Sequence, residues 1–144
     1  MIKTMIVEDE KLARDELRYL IDRSSDFEVV LEAADGKKAL TLLENNSVDL
    51  LFLDIKIPGI TGIEIARTLK NNENSPYIIF TTAYDEYAVE AFQLSAVDYL
   101  LKPISDQRLE ESLAKARKEI TKNSGFNQQL ENLFSNLNSS KQKD

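Results

Sequence analysis

The sequence predicts an α/β domain built on a doubly wound parallel sheet. Short apolar runs alternate five times with segments of helical period, the signature of successive βα units. Some runs, Leu50-Leu51-Phe52-Leu53 above all, are apolar at every position, as strands covered on both faces require. With 144 residues, 42% of them hydrophobic, the chain can also bury a sizeable core without a metal or disulfide staple.

The first strand is expected over Thr4–Val7 and the first helix over Lys11–Asp22, where Leu12, Leu17, Leu20 and Ile21 recur at helical spacing. A second strand follows at Phe27–Ala33, then a helix at Gly36–Glu44 that Asp35 can cap. The third strand is Leu50–Leu53 with a helix at Gly62–Lys70, and the fourth is Tyr77–Thr81 with a helix at Asp85–Gln93. The fifth strand, Tyr99–Leu101, leads to a helix over Asp106–Ile120 capped by Ser105. Residues 1–104 carry 11 basic and 19 acidic side chains, whereas residues 105–144 carry 7 and 6, with Asn, Gln, Ser and Lys abundant. The domain is therefore expected to span 1–121, with 122–144 a linker or an amphipathic extension. In that tail Phe126, Leu130, Leu133, Phe134 and Leu137 form a helical stripe.

Composition excludes several chemistries. The chain has no cysteine and no histidine, so thiolate sites, histidine bases and a phosphohistidine of its own are ruled out. Its net charge of −7 argues against a nucleic-acid footprint on this domain. No stretch resembles a signal peptide or a membrane span, and a cytoplasmic location is expected.

In doubly wound sheets, ligands sit outside the carboxyl ends of the strands. There the sequence places Glu8-Asp9-Glu10 after the first strand, Asp54 after the third, Thr82 after the fourth and Lys102-Pro103 after the fifth. Each alone has a commonplace reading as a cap or a solvated charge, but four coincident strand ends do not. Glu8, Asp9 and Asp54 repel one another unless a cation or protons neutralise them. Oxygen-only ligands select a hard ion, Mg²⁺ first. Asp54 is then free to attack phosphorus as a carboxylate nucleophile, with Lys102 and Thr82 to hold phosphoryl oxygens. A haloacid-dehalogenase-like phosphatase would want a second Asp at position 56, which is Lys, and a flavin site would not tolerate Glu8-Asp9-Glu10 beside a phosphate.

Over about residues 1–121 this pattern resembles the receiver domain of two-component response regulators. The matching stretches are Ile6-Val7-Glu8-Asp9-Glu10, Leu51-Phe52-Leu53-Asp54-Ile55-Lys56-Ile57-Pro58-Gly59, Gly62, Thr82-Ala83 and Tyr99-Leu100-Leu101-Lys102-Pro103. The resemblance implies a flavodoxin-like (βα)5 fold with strand order 2-1-3-4-5. It implies Asp54 as phosphoacceptor and Mg²⁺ at Glu8, Asp9, Asp54 and the main-chain carbonyl of Lys56. It also implies Lys102 as the phosphoryl-binding lysine, Thr82 and Tyr99 as switch residues, and a cis Lys102-Pro103 peptide. Lys56 and Tyr84 flank the site, where they would govern water access.

The stretch from Phe80 to Phe92, continued by Ala96-Val97-Asp98-Tyr99, resembles regulators with a LytTR-type DNA-binding output domain. The expected partners are a sensor histidine kinase and a second copy on phosphorylation, with DNA reached only through an output domain outside this chain. The expected role is a switch rather than an enzyme, and the alternative is a stand-alone receiver or pseudo-receiver that binds proteins. Tyr84, Tyr87, Phe92 and Tyr99 concentrate around the fourth helix, either to pack on the sheet edge or to form a dimer face.

Overall fold

A computed structural model describes residues 1–142; the side chains of residues 124–128 and 138–142 lie outside the described set. The elements are β1 (Ile2–Val7), α1 (Lys11–Asp22), β2 (Phe27–Ala33), α2 (Gly36–Asn45), β3 (Leu50–Asp54), α3 (Gly62–Lys70), β4 (Tyr77–Thr82), α4 (Ala88–Gln93), β5 (Asp98–Leu101) and α5 (Asp106–Gln142). The five strands are parallel in the order β2-β1-β3-β4-β5. The predicted fold class and strand order therefore hold.

The core divides by strand alternation. In β3, Leu50 and Phe52 join Ile6, Ile79 and Leu100 beneath Leu17 and Ile21 of α1 and Leu109, Leu113 and Ala116 of α5. Leu51 and Leu53 face the opposite layer, with Met5, Val7 and Phe80, against Ala39 of α2, Ile65 and Leu69 of α3 and Ala91 of α4. Every β3 residue is buried, which explains the unbroken apolar run.

Side-chain caps fix the helix starts. Asp35 accepts from the Lys38 amide at 2.8 Å, Thr61 from Glu64 at 3.2 Å and Ser105 from Arg108 at 3.1 Å. Three expectations shift. Leu12 is 77% exposed, because it lies five residues before Leu17 and so about 140° away around the helix; the partly buried Ala13 takes the inner face. The fourth helix begins at Ala88 rather than Asp85. α5 runs on through Gly125 to Gln142 instead of ending at Ile120: a single Gly costs about 1 kcal/mol in a helix and does not by itself stop one. On this helix Leu130, Leu133, Phe134 and Leu137 are exposed, while the side chain of Phe126 lies outside the described residues. No described helix is long and apolar enough to cross a membrane.

Candidate functional site

The parallel registers set the site. Asp54, the last residue of β3, pairs with Thr81, and Thr82 ends β4 one step further on. The Lys102 amide donates to the Thr82 carbonyl at 2.8 Å, which brings the residue after β5 to the same edge. Glu8 follows β1, and its main chain is held by the Ala33 carbonyl and by Arg14 Nη1 at 2.8 Å.

Carboxylate oxygens of Glu8, Asp9 and Asp54 lie within 4.8 Å of one another. Glu8 and Asp54 are buried and Asp9 is exposed. The Lys102 ammonium bridges the buried pair, donating to Asp54 Oδ2 at 2.9 Å and to Glu8 Oε1. Burial opposes the charge on Lys102, but its bonds to Glu8 and Asp54 outweigh that penalty and hold its pKa above the usual value. Asp9 is pushed up, first by partial desolvation and then by its neighbour Glu8. Asp54 Oδ1 accepts from the Lys56 amide at 3.2 Å. This all-oxygen trio, without thiolate or imidazole, is a donor set suited to a hard divalent cation.

Two glycines shape the loop beneath Asp54. Gly59 has φ +84°, and a Cβ on Gly62 would stand 2.3 Å from the Asp54 carbonyl oxygen, so only glycine allows α3 to start there. The Lys102-Pro103 peptide is cis, as the resemblance implies.

On the opposite rim, Thr82 Oγ1 accepts from the Tyr84 amide at 3.2 Å, and the Tyr99 hydroxyl donates to the Tyr84 carbonyl. Tyr99 is half-buried against the core, where desolvation raises the pKa of its phenol. The sequence-predicted residues Glu8, Asp9, Asp54, Lys56, Thr82 and Lys102 thus gather at one sheet edge, and Tyr99 reaches it through Tyr84. The aromatic cluster divides in its burial. Tyr87 and Tyr99 pack on the core, whereas Phe92 is 83% exposed beside the exposed Val89.

Two features escape a sequence reading. The Lys56 ammonium sits 5.1 Å from the Tyr87 ring centroid and 5.7 Å from that of Tyr84. The adjoining tyrosines were visible in the chain, but nothing showed that position 56 reaches them. Asp98, meanwhile, accepts from both terminal nitrogens of Arg108 at 2.9 and 2.8 Å and from the Ser112 hydroxyl. Burial pushes its carboxyl up, yet the Arg108 and Ser112 bonds prevail and hold it at about 2.

A family model described as Response regulator receiver domain matches residues 4–114. The chain belongs to the response regulator receiver family. This receiver domain is 45% identical over 119 residues to Sensory transduction protein LytT of Bacillus anthracis, covering 83% of this chain and 48% of that protein. It is 48% identical over 122 residues to Transcriptional regulatory protein BtsR of Salmonella typhi, covering 85% and 51%. These relatives accord with the LytTR-type sub-family. The receiver chain spans about half the length of the curated relatives it matches. The crystal structure of the response regulatory domain of protein mrkE from Klebsiella pneumoniae superposes with a TM-score of 0.80 at 42% identity, covering 84% of this chain and 99% of that one.

Proposed function

We propose that this receiver accepts a phosphoryl group on Asp54 from the phosphohistidine of a sensor histidine kinase and relays the change to the face of α4, β5 and α5. The observation that carries the reading is the Asp54 carboxylate itself. It is buried, bridged to Glu8 by Lys102, and crowded by a second, exposed acid, Asp9.

One Asp54 oxygen attacks phosphorus, the P–N bond to the donor imidazole breaks, and an acyl phosphate forms. Lys102 is close enough to transfer its contact from Asp54 to a phosphoryl oxygen, and the Thr82 hydroxyl supplies a second donor. Positioning and charge neutralisation are most of what phosphoryl transfer needs. Mg²⁺, held by Glu8, Asp9, Asp54 and the main-chain carbonyl of Lys56, supplies neutralisation of the crowded oxygens when bound. An apolar cleft lined by Ala13, Leu17, Leu20, Pro103 and Ile104, with Glu8 and Lys102 also on its wall, opens beside the site and suits a docking helix of the donor.

When Thr82 turns to the phosphoryl group it releases the Tyr84 amide, and the Tyr84 carbonyl carries that motion to Tyr99. Exposed Val89 and Phe92 then offer a phosphorylation-dependent dimer face. Residues 1–121 act as the switch and 122–144 as its extension toward a LytTR-type, DNA-binding output domain. The role is regulatory, and the chain promotes only its own phosphorylation and dephosphorylation.

Incubation with Mg²⁺ and acetyl phosphate tests this reading. Intact mass should rise by one phosphoryl group, and Asp54→Asn should abolish the gain. An unmodified wild-type chain, with a known receiver labelled in parallel, overturns it.

A further inference from the structure

The second half of α5 stands apart from the receiver core. Among the described residues, Ile120 is the last apolar α5 side chain packed on that core, with Asn123 bonding the Tyr77 hydroxyl just beyond it. At 1.5 Å per residue, Leu137 lies about 26 Å further along the axis, out of reach of the sheet. Yet Leu130, Leu133, Phe134 and Leu137 are exposed on this stretch, at 37%, 56%, 62% and 51%.

Their spacing names the occupant. Together with position 126, also apolar, positions 130, 133 and 137 follow one another at intervals of four, three and four, the a/d pattern of a helix pair, and Phe134 flanks that seam. The charges are compatible with such a pair. Between Lys122 and Lys141 the only charged residue is Glu131, which falls on the outer face. An in-register parallel pair sets Lys122 across from position 127 (Asn) and position 136 (Asn) across from 141 (Lys), so no like charges meet. An antiparallel pair centred on the stripe would put positions 122 and 141 on opposite flanks of the seam, so orientation is read from position 137, which faces its own copy in a parallel pair and position 126 in an antiparallel one. We infer that residues 126–137 pair with the same segment of a second copy, as a short parallel coiled coil that forms without phosphorylation.

Four apolar side chains per helix, each hiding on the order of 100 Å², give on the order of 800 Å² for the pair, below a standard stable interface. The contact is therefore weak by itself. Its consequence is a raised local concentration of the two receiver domains, so that the face bearing Val89 and Phe92 closes as an intramolecular event.

The absence of cysteine gives a direct test. Leu137→Cys places a thiol on the seam and Ser135→Cys places one on the outer face. Under mild oxidation of the whole chain without a phosphodonor, Leu137→Cys should form an interchain disulfide several-fold faster than Ser135→Cys. Sedimentation equilibrium should show a concentration-dependent dimer whose dissociation constant rises at least tenfold in Leu130→Asp, with the thermal melt of the receiver unchanged. The same dimer should persist in Asp54→Asn, which separates this contact from the phosphorylation reading. Equal cross-linking of the two thiols, or a wild-type monomer at every concentration, overturns the inference.

Discussion

The hydroxyl of Tyr99 donates a hydrogen bond to the main-chain carbonyl of Tyr84, fifteen residues earlier in the chain. The amide of that same Tyr84 is held by Thr82 Oγ1. Tyr84 is thus gripped by the hydroxyl of Thr82, which ends β4, and by a β5 side chain on the α4 layer of the sheet, so a rotation of Thr82 should reach Tyr99 through Tyr84.

Tyr99→Phe keeps the ring packed and removes only the donor. Phosphorylation of Asp54, read by intact mass, should be unchanged. The gain in dimer affinity on adding beryllofluoride should shrink by about fivefold, the equivalent of about 1 kcal/mol for one neutral hydrogen bond. Sedimentation with and without beryllofluoride checks this, and an undiminished gain would mean that the signal bypasses Tyr84.

Asp98 ties β5 to α5 through Arg108 and Ser112, with Lys115 3.4 Å away. Its folded-state pKa of about 2 lies below the ordinary 3.8, so its stabilisation is present above about pH 4 and disappears as the pH falls toward 2. The shift corresponds to on the order of 2 kcal/mol at neutral pH. Urea unfolding of wild type and Asp98→Asn should differ by about that amount at pH 7 and converge near pH 2. A constant difference across that range would place the effect in packing instead.

The sheet, its order and the acidic edge were legible in the sequence because they are written locally: strand runs buried on both faces, and a reactive residue at or just past the end of each of four strands. Two kinds of feature were not. The Asp98–Arg108 pair spans ten residues across a strand–helix join, and neither residue alone departs from an ordinary surface charge. The length of α5 does not show in the sequence because the Asn-, Gln-, Ser- and Lys-rich composition after residue 121 reads as a linker, while the helix continues through it. Leu12 misled for a different reason, since its type fitted the apolar stripe and its angle did not.

The Lys56 ammonium lies over the rings of Tyr87 and Tyr84, and its interaction with Tyr87 raises its pKa. Lys56 is two residues past Asp54, the proposed phosphoacceptor, and its amide bonds that carboxylate, so the proposal places this cation at the rim of the site. Lys56→Ala clears that rim and admits water, so the aspartyl phosphate should decay several-fold faster while the initial stoichiometry stays at one. Tyr87→Leu should reproduce part of the effect by freeing the lysine. Timed intact-mass measurements after removal of the phosphodonor read both rates, and decay no faster than wild type in Lys56→Ala would refute the shielding role.

Gly59 and Gly62 separate two ways in which a methyl group can harm this loop. At Gly59 a Cβ meets nothing within 4 Å, but the backbone is left-handed at φ +84°, so Gly59→Ala carries conformational strain of about 1–2 kcal/mol and no collision. At Gly62 the added carbon falls 2.3 Å from the Asp54 carbonyl oxygen and 2.9 Å from Ile55 Cα. That backbone cannot yield easily, because the Gly62 amide is bonded to the Ile55 carbonyl at 2.9 Å and the Ile55 amide to the Thr81 carbonyl at 3.2 Å. Gly62→Ala should therefore cost about 1–3 kcal/mol, a fall of several degrees in Tm, and should also displace Asp54 from Lys102. Thermal melts paired with acetyl phosphate labelling rates distinguish the two. Both variants should melt earlier, but only Gly62→Ala should label more slowly at a temperature where both remain folded. Equal labelling by the two would show that the start of α3 is not what positions the Asp54 carboxylate.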